Sequence, residues 1–106
     1  MSRHPSRDVA AAIWKERLRQ IKGEGYSHEH DDVLDRGELA LAAASYAIEA
    51  VRVAQINPPH HLARLAHECW PFTKSANWPK PQRRLLVIAA ALLVAEIERL
   101  DRMATS

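Results

Sequence analysis

The densest chemistry in the chain lies in Glu24-Gly25-Tyr26-Ser27-His28-Glu29-His30-Asp31-Asp32, where two of the six histidines stand beside four carboxylates and an aromatic ring. Imidazole and carboxylate are donors for divalent ions, so His28, His30, Asp31 and Asp32 form a candidate ligand set. The spacing carries no zinc signature, because no second Cys or His pair stands at a fixed offset. The same groups have plainer uses. Asp31 and Asp32 can cap turns and accept from loop amides, or the segment can touch a ligand directly.

Other residues could complete a site. Tyr26, Trp70, Phe72 and Trp78 could stack a nucleobase, since every base presents a π-face to an aromatic ring; the commoner use of such rings is to plug the ends of a bundle. Arg19, Arg83 and Arg84 could hold phosphates through charge-assisted hydrogen bonds. Glu96 has Leu92, Leu93 and Leu100 as its helical neighbours, which puts a carboxylate at the edge of an apolar face. It therefore needs a partner, a proton or a ligand; Arg19 or a histidine of the 24–32 segment is the expected structural partner. Gly23-Glu24-Gly25 is too short for a phosphate-binding loop, and the chain has neither a nucleophile elbow nor a paired-cysteine motif. His60-His61 reads as an exposed pair.

These residues must be positioned by helices. Ser6 caps a first helix to about Lys22, on which Ala10, Ile13, Trp14, Leu18 and Ile21 form an apolar stripe. Gly23 and Gly25 end it, and residues 23–35 form a connection. A second helix starts near Asp35, with Asp35 and Glu38 at capping-box spacing. Its Leu39, Ala43, Tyr46, Ala50 and Val53 repeat at 4-3-4-3 intervals. Asn57-Pro58-Pro59 breaks it and introduces a short helix to about Glu68, with Leu62, Leu65 and Cys69 inward. After an aromatic loop at 70–80, Pro81 opens a last helix to about Met103. That helix is apolar almost all round from Leu85 to Ala95, so it should be buried on more than one side. The expected fold class is all-α: a small bundle of three long helices and one short one, last helix central. A disordered stretch over 1–6 would precede a single domain over 7–103.

Composition narrows the classes further. The 106 residues fit one core, and 47% are hydrophobic. One cysteine, Cys69, excludes an internal disulfide. No apolar run is long enough to span a bilayer, and the first residues lack a secretory signal; the expectation is a cytoplasmic protein with no membrane association. The net charge of +2 mixes both signs along the chain, so bulk nucleic-acid binding is not expected. The apolar last helix in so small a bundle suggests a homo-oligomer.

The pattern resembles a group of small phage and prophage proteins, mostly of unassigned function. The resembling segments are Glu16-Arg17, Arg19-Gln20, Glu24-Gly25-Tyr26, Glu29-His30-Asp31-Asp32, Gly37-Glu38-Leu39, Ala42-Ala43, Tyr46, Trp70-Pro71, Trp78, Arg83-Arg84-Leu85 and Ala95 to Asp101. The resemblance implies a viral accessory role. The chain is also similar to the ryanodine-receptor repeat domain through Trp14, Gly25-Tyr26 and Asp31-Asp32, with Tyr26 where that pattern has Trp; this implies an adenine-type nucleotide ligand. Glu98-Arg99-Leu100-Asp101 resembles the Glu-x-x-Asp motif of all-helical nucleotide pyrophosphohydrolases, and Gly37-Glu38-Leu39 is similar to their first region, but their Glu-x-x-Glu is missing.

The leading expectation is a non-enzymatic protein that binds a small nucleotide or nucleotide second messenger and sequesters a host antiviral defence signal. Its ligand-binding residues would be Arg19, Tyr26, His30, Asp31, Asp32, Trp70, Trp78, Arg83, Arg84 and Glu96, with no cofactor. The alternative is a magnesium-dependent pyrophosphohydrolase with Glu38, Glu96, Glu98 and Asp101 around the metal. A third class is a protein-binding inhibitor of a host defence complex.

Overall fold

The computed structural model describes residues 6–76 and 80–105. Its helices are α1 (Arg7–Gly23), α2 (His28–Asp32), α3 (Glu38–Val53), α4 (His60–Cys69) and α5 (Gln82–Thr105), and there is no strand among the described residues. The expected all-α bundle with its last helix central is what forms: α5 packs against α1, α2 and α3, and α4 packs on α3. Residues 1–5, 77–79 and 106 lie outside the described residues, so Trp78 and all of the expected disordered stretch over 1–6 except Ser6, which caps α1, fall there. None of the described helices is long and apolar enough to cross a membrane.

The core is one seam. Leu39, Ala42, Ala43, Tyr46 and Ala50 of α3 meet Leu85, Ile88, Ala89, Leu92 and Ala95 of α5. The alanines on both sides allow the two backbones to approach closely, which small interfacial side chains permit. On the other side of α3, the Ser45 hydroxyl donates to the Ala66 carbonyl at 2.7 Å and fixes α4. Ala66 is the buried residue of α4; Leu62 and Cys69 are half-buried, and the expected inward Leu65 is exposed.

Local signals end the helices much as expected at α1 and differently at α3. The Ser6 hydroxyl accepts from the Asp8 N–H at 3.1 Å. At the other end of α1, the Gln20 carbonyl accepts from the Glu24 N–H at 3.2 Å and the Tyr26 N–H at 3.0 Å. That turn places Gly25 at φ 73°, a left-handed conformation that a β-carbon would disfavour. Helix α3 starts at Glu38 rather than Asp35. Its Glu38 side chain reaches back to the Arg36 N–H at 2.6 Å, and Gly37, at φ 80°, takes the cap position.

Two expectations fail informatively. Residues 23–35 are not wholly a connection, because α2 forms inside them, capped by the Ser27 hydroxyl accepting from the His30 N–H at 3.2 Å. Nor does α1 bury its apolar stripe. Trp14 is 58% exposed, whereas the buried residues of α1 are Glu16, Arg17 and Gln20. The reason is what these polar side chains meet. Arg17 donates from Nε to Glu98 of α5 at 2.9 Å, from Nη2 to Asp31 of α2 at 2.9 Å and from Nη1 to the Tyr26 carbonyl at 3.3 Å. A planar guanidinium with donors in several directions satisfies three acceptors at once, which an ammonium cannot do in this geometry.

Arg17 is 1% exposed and Asp31 0%. Breaking a buried pair from one side strands the other charge, at a cost of about 3–5 kcal/mol. Arg17→Met is therefore expected to lower unfolding free energy by about that amount, with Arg17→Lys recovering only part of it. Urea denaturation checks this; a loss within the range of an exposed pair, below about 1 kcal/mol, contradicts it.

Candidate functional site

The α1–α2 corner presents Tyr26. Its carbonyl is held by Arg17, and its ring stacks flat on His30, with centroids 4.8 Å apart and planes 3° from parallel. His30 is held in turn through Nδ1 to Asp31 Oδ1 at 2.9 Å. The fully buried Asp31 thus sits beneath the corner, joined to Arg17 on one oxygen and His30 on the other. Burial first, then the negative charge of Glu24, pushes the Tyr26 phenol up to about 12. It remains a neutral hydroxyl at physiological pH.

From this corner a row of rings crosses the molecule. Tyr26 meets Phe72 at 6.5 Å, Phe72 meets Trp70 edge-on at 5.2 Å, and Trp70 meets Tyr46 of α3 edge-on at 5.7 Å. The Trp70 indole N–H donates to the Lys74 carbonyl at 2.6 Å, which folds the 70–74 segment back on itself. The row lines a cavity of about 590 Å³ that also touches Glu24, His30 and residues 73–76. A second cavity, of about 260 Å³, shares Glu24, Tyr26, Tyr46 and Trp70 with it and adds Arg19, Gln20, Lys80 and Arg84.

The cations converge on Glu16. Arg19 donates to both its carboxylate oxygens at 2.8 Å, Gln20 Nε2 donates at 3.1 Å, and the Arg84 guanidinium closes from α5. Arg19 also reaches Glu24 at 2.9 Å. Burial pushes the Glu16 carboxyl up, but the hydrogen bonds and charges of Arg19 and Arg84 outweigh it and hold the group below its ordinary value. Arg19 and Arg84 also line an open groove of about 540 Å³ with Lys15 and Arg83. The smaller cavity and this basic groove therefore meet at the same two arginines, and the larger cavity joins the smaller one through Glu24, Tyr26, Tyr46 and Trp70.

Of the residues singled out in the sequence, Arg19, Tyr26, His30, Trp70 and Arg84 line these connected cavities, and Arg83 lines the groove. Three others lie elsewhere. Asp31 supports the corner from below. Asp32 accepts from Arg102 of α5 at 2.7 and 3.1 Å on an exposed edge. Neither makes the turn cap considered for it. Glu96 is held by Arg99 one turn along α5 at 2.6 Å, rather than by Arg19 or a histidine. The 24–32 segment does contact α5, directly through Asp32 to Arg102 and indirectly through Asp31, whose partner Arg17 of α1 also holds Glu98.

The donor set for magnesium does not assemble. Glu96 is engaged by Arg99, Glu98 by Arg17 and Glu38 by the Arg36 N–H. No group of three or more His, Cys, Asp or Glu side chains among the described residues could hold a metal. These carboxylates, as arranged, do not fit a metal centre.

Several lining residues were not named as site residues from the sequence, although Glu16, Gln20 and Tyr46 fall in the segments that carry the phage resemblance. Tyr46 belongs to the apolar repeat of α3 and reads as core, which it also is. Glu16 and Gln20 read as the solvated face of α1; their spacing of four, matching one helical turn, was the available hint. Lys80 stood alone among prolines.

No protein-family model, curated protein or solved structure matches this chain.

Because Glu16 has a lowered folded pKa, its ionisation stabilises the fold fully above its unfolded value of 4.5 and loses that contribution as pH falls below it. Wild-type unfolding free energy should fall on acidification through that window, and Glu16→Gln should flatten this dependence. Urea midpoints measured across the window test it; an unchanged slope in the variant is the contrary result.

Proposed function

We propose that this chain is a non-enzymatic, phage-type accessory protein that binds a small nucleotide or nucleotide second messenger in the host cytoplasm and sequesters a host antiviral defence signal. The observation that carries the binding reading is the junction of an aromatic-lined cavity with a cluster of cations. Tyr26, Tyr46, Trp70 and Phe72 offer ring faces and edges for a base. Arg19, Lys80, Arg83 and Arg84 surround the adjoining cavity and groove, where phosphate oxygens would accept charge-assisted bonds. The volumes of about 260 and 590 Å³ bracket the lower part of the range of small-molecule sites.

Each part has a task in this reading. The clamped corner holds Tyr26 and His30 in place before ligand arrives, so less ordering is required on binding. Glu16 anchors the two shared arginines, whose side chains stay partly exposed and so open to a ligand. The assignment to counter-defence rests on the resemblance to phage proteins.

The same proposal includes self-association. Leu86, Leu93, Ile97 and Leu100 of α5 are each about half exposed, at 46–57%, and follow one another at intervals of seven, four and three. A 3-4 repeat is the spacing by which one helix seam packs against another like it.

A nucleotide ligand that binds only the folded state raises the melting temperature by mass action. At least one of the common mono-, di- or cyclic nucleotides should do so, with Tyr26→Ala or Trp70→Ala reducing the affinity by roughly tenfold or more, as loss of a stacking ring does. A flat thermal-shift screen across the panel sinks the binding reading. For self-association, sedimentation velocity should show a dimer or larger species that Ile97→Glu converts to monomer; a monomeric wild type at all concentrations removes that part.

A further inference from the structure

Gln20 holds the one buried side-chain polar atom among the described residues that lacks a hydrogen-bond partner. The residue is 1% exposed, lies on the last turns of α1 and lines the inner cavity. Its amide orientation is not free. Nε2 donates to the Glu16 carboxylate at 3.1 Å, and turning the amide over would set Oε1 against that carboxylate. Oε1 is therefore held as an acceptor with nothing to accept from. A buried acceptor without a donor is destabilising, and native proteins rarely retain one without a use for it.

The surroundings limit what can supply the donor. Tyr26, Tyr46 and Trp70 share the cavity with Gln20, and their rings favour a planar guest. A planar guest stacked among these rings carries its hydrogen-bond donors on its edge. Since Oε1 is recessed, a donor projecting beyond the ring reaches it more readily than an N–H within the ring. The cations Arg19, Lys80 and Arg84 on the same cavity suit the guest's acceptors and phosphates, and none of them is hydrogen-bonded to Oε1 in the structure.

We propose that Gln20 Oε1 is the specificity-determining acceptor of the site and selects nucleotides whose base carries an exocyclic amino group. This rests on the nucleotide reading above and narrows it from nucleotides in general to aminated bases. The amine donates one N–H to Oε1, while the ring lies among Tyr26, Tyr46 and Trp70 and the phosphate extends toward Arg84 and the groove.

Three pairs of ligands differ only in that amine: AMP and purine riboside 5′-monophosphate, GMP and inosine 5′-monophosphate, and CMP and the 5′-monophosphate of the pyrimidin-2-one riboside. Calorimetric titration of each pair into the full chain measures the contribution directly. For the base that fits, the aminated member should bind roughly tenfold tighter, the worth of one such hydrogen bond. In Gln20→Met, which keeps the side-chain length and removes the acceptor, the gap should close mainly by weaker binding of the aminated member. Gln20→Asn, which withdraws the acceptor by one methylene, should do the same and serves if the methionine variant does not fold. Nucleotide binding that is indifferent to the amine, or a gap that survives both substitutions, overturns the proposal while leaving the nucleotide reading intact. Absence of binding by every nucleotide overturns both.

Discussion

The guanidinium of Arg17 is the joint on which the arrangement depends. It lies fully buried between three elements and donates to each of them: Asp31 of α2, Glu98 of α5 and the Tyr26 carbonyl between α1 and α2. Burying a cation is costly unless its donors are satisfied, and here the satisfaction comes from three directions. That requirement sets where α2 lies, how far α1 sits from α5, and where the backbone releases Tyr26. The aromatic row starts from that point.

A second polar centre sets the chemistry of the site. Glu16, one residue before Arg17, faces the cavity side, where it gathers Arg19, Arg84 and Gln20. Neighbouring positions on one helix thus serve opposite ends of the same problem. Arg17 is a buried cation among acceptors and Glu16 a buried anion among donors. Together they make the α1–α5 interface largely electrostatic beside the apolar α3–α5 seam. Apolar contact tolerates sliding, whereas two charged centres with fixed partners admit one register. The apolar seam thus holds the bundle together, while the charged interface aligns the residues that line the cavity.

This division explains what could be read in the sequence. The α3 repeat of Leu39, Ala43, Tyr46 and Ala50 and the apolar run of α5 are periodic, and periodicity needs no knowledge of distant partners. Both helices and the α5-centred bundle were legible for that reason. Helix α1 was recognisable as a helix, but its orientation was not. Trp14 and Ile13 looked like its inner face, and Glu16, Arg17 and Gln20 looked like its outer one. Only partners as far off as Glu98 and Arg84 make the polar face the buried one. Helix α2 is too short for any period to show. Arginines and aromatics of the cavity could be named by type, yet Asp31 and Asp32, alike in sequence, separate into a buried support and an exposed pair. That distinction depends on packing alone.

The clasp joining α1 and α2 to α5 closes over very long stretches of chain: Arg84 to Glu16 spans 68 positions, Arg102 to Asp32 spans 70 and Arg17 to Glu98 spans 81. Contacts so remote in sequence carry a large loop-closure entropy and form most readily after nearer ones have shortened the loop. The α3–α4 pair can assemble from neighbouring segments, but Arg17 and Glu16 of α1 have only their near partners, Asp31, the Tyr26 carbonyl, Arg19 and Gln20, until α5 supplies Glu98 and Arg84. On the ribosome, α1 is made before α5 and waits for it. The cavity, lined from both α1 and α5, comes into being as one of the final events of folding.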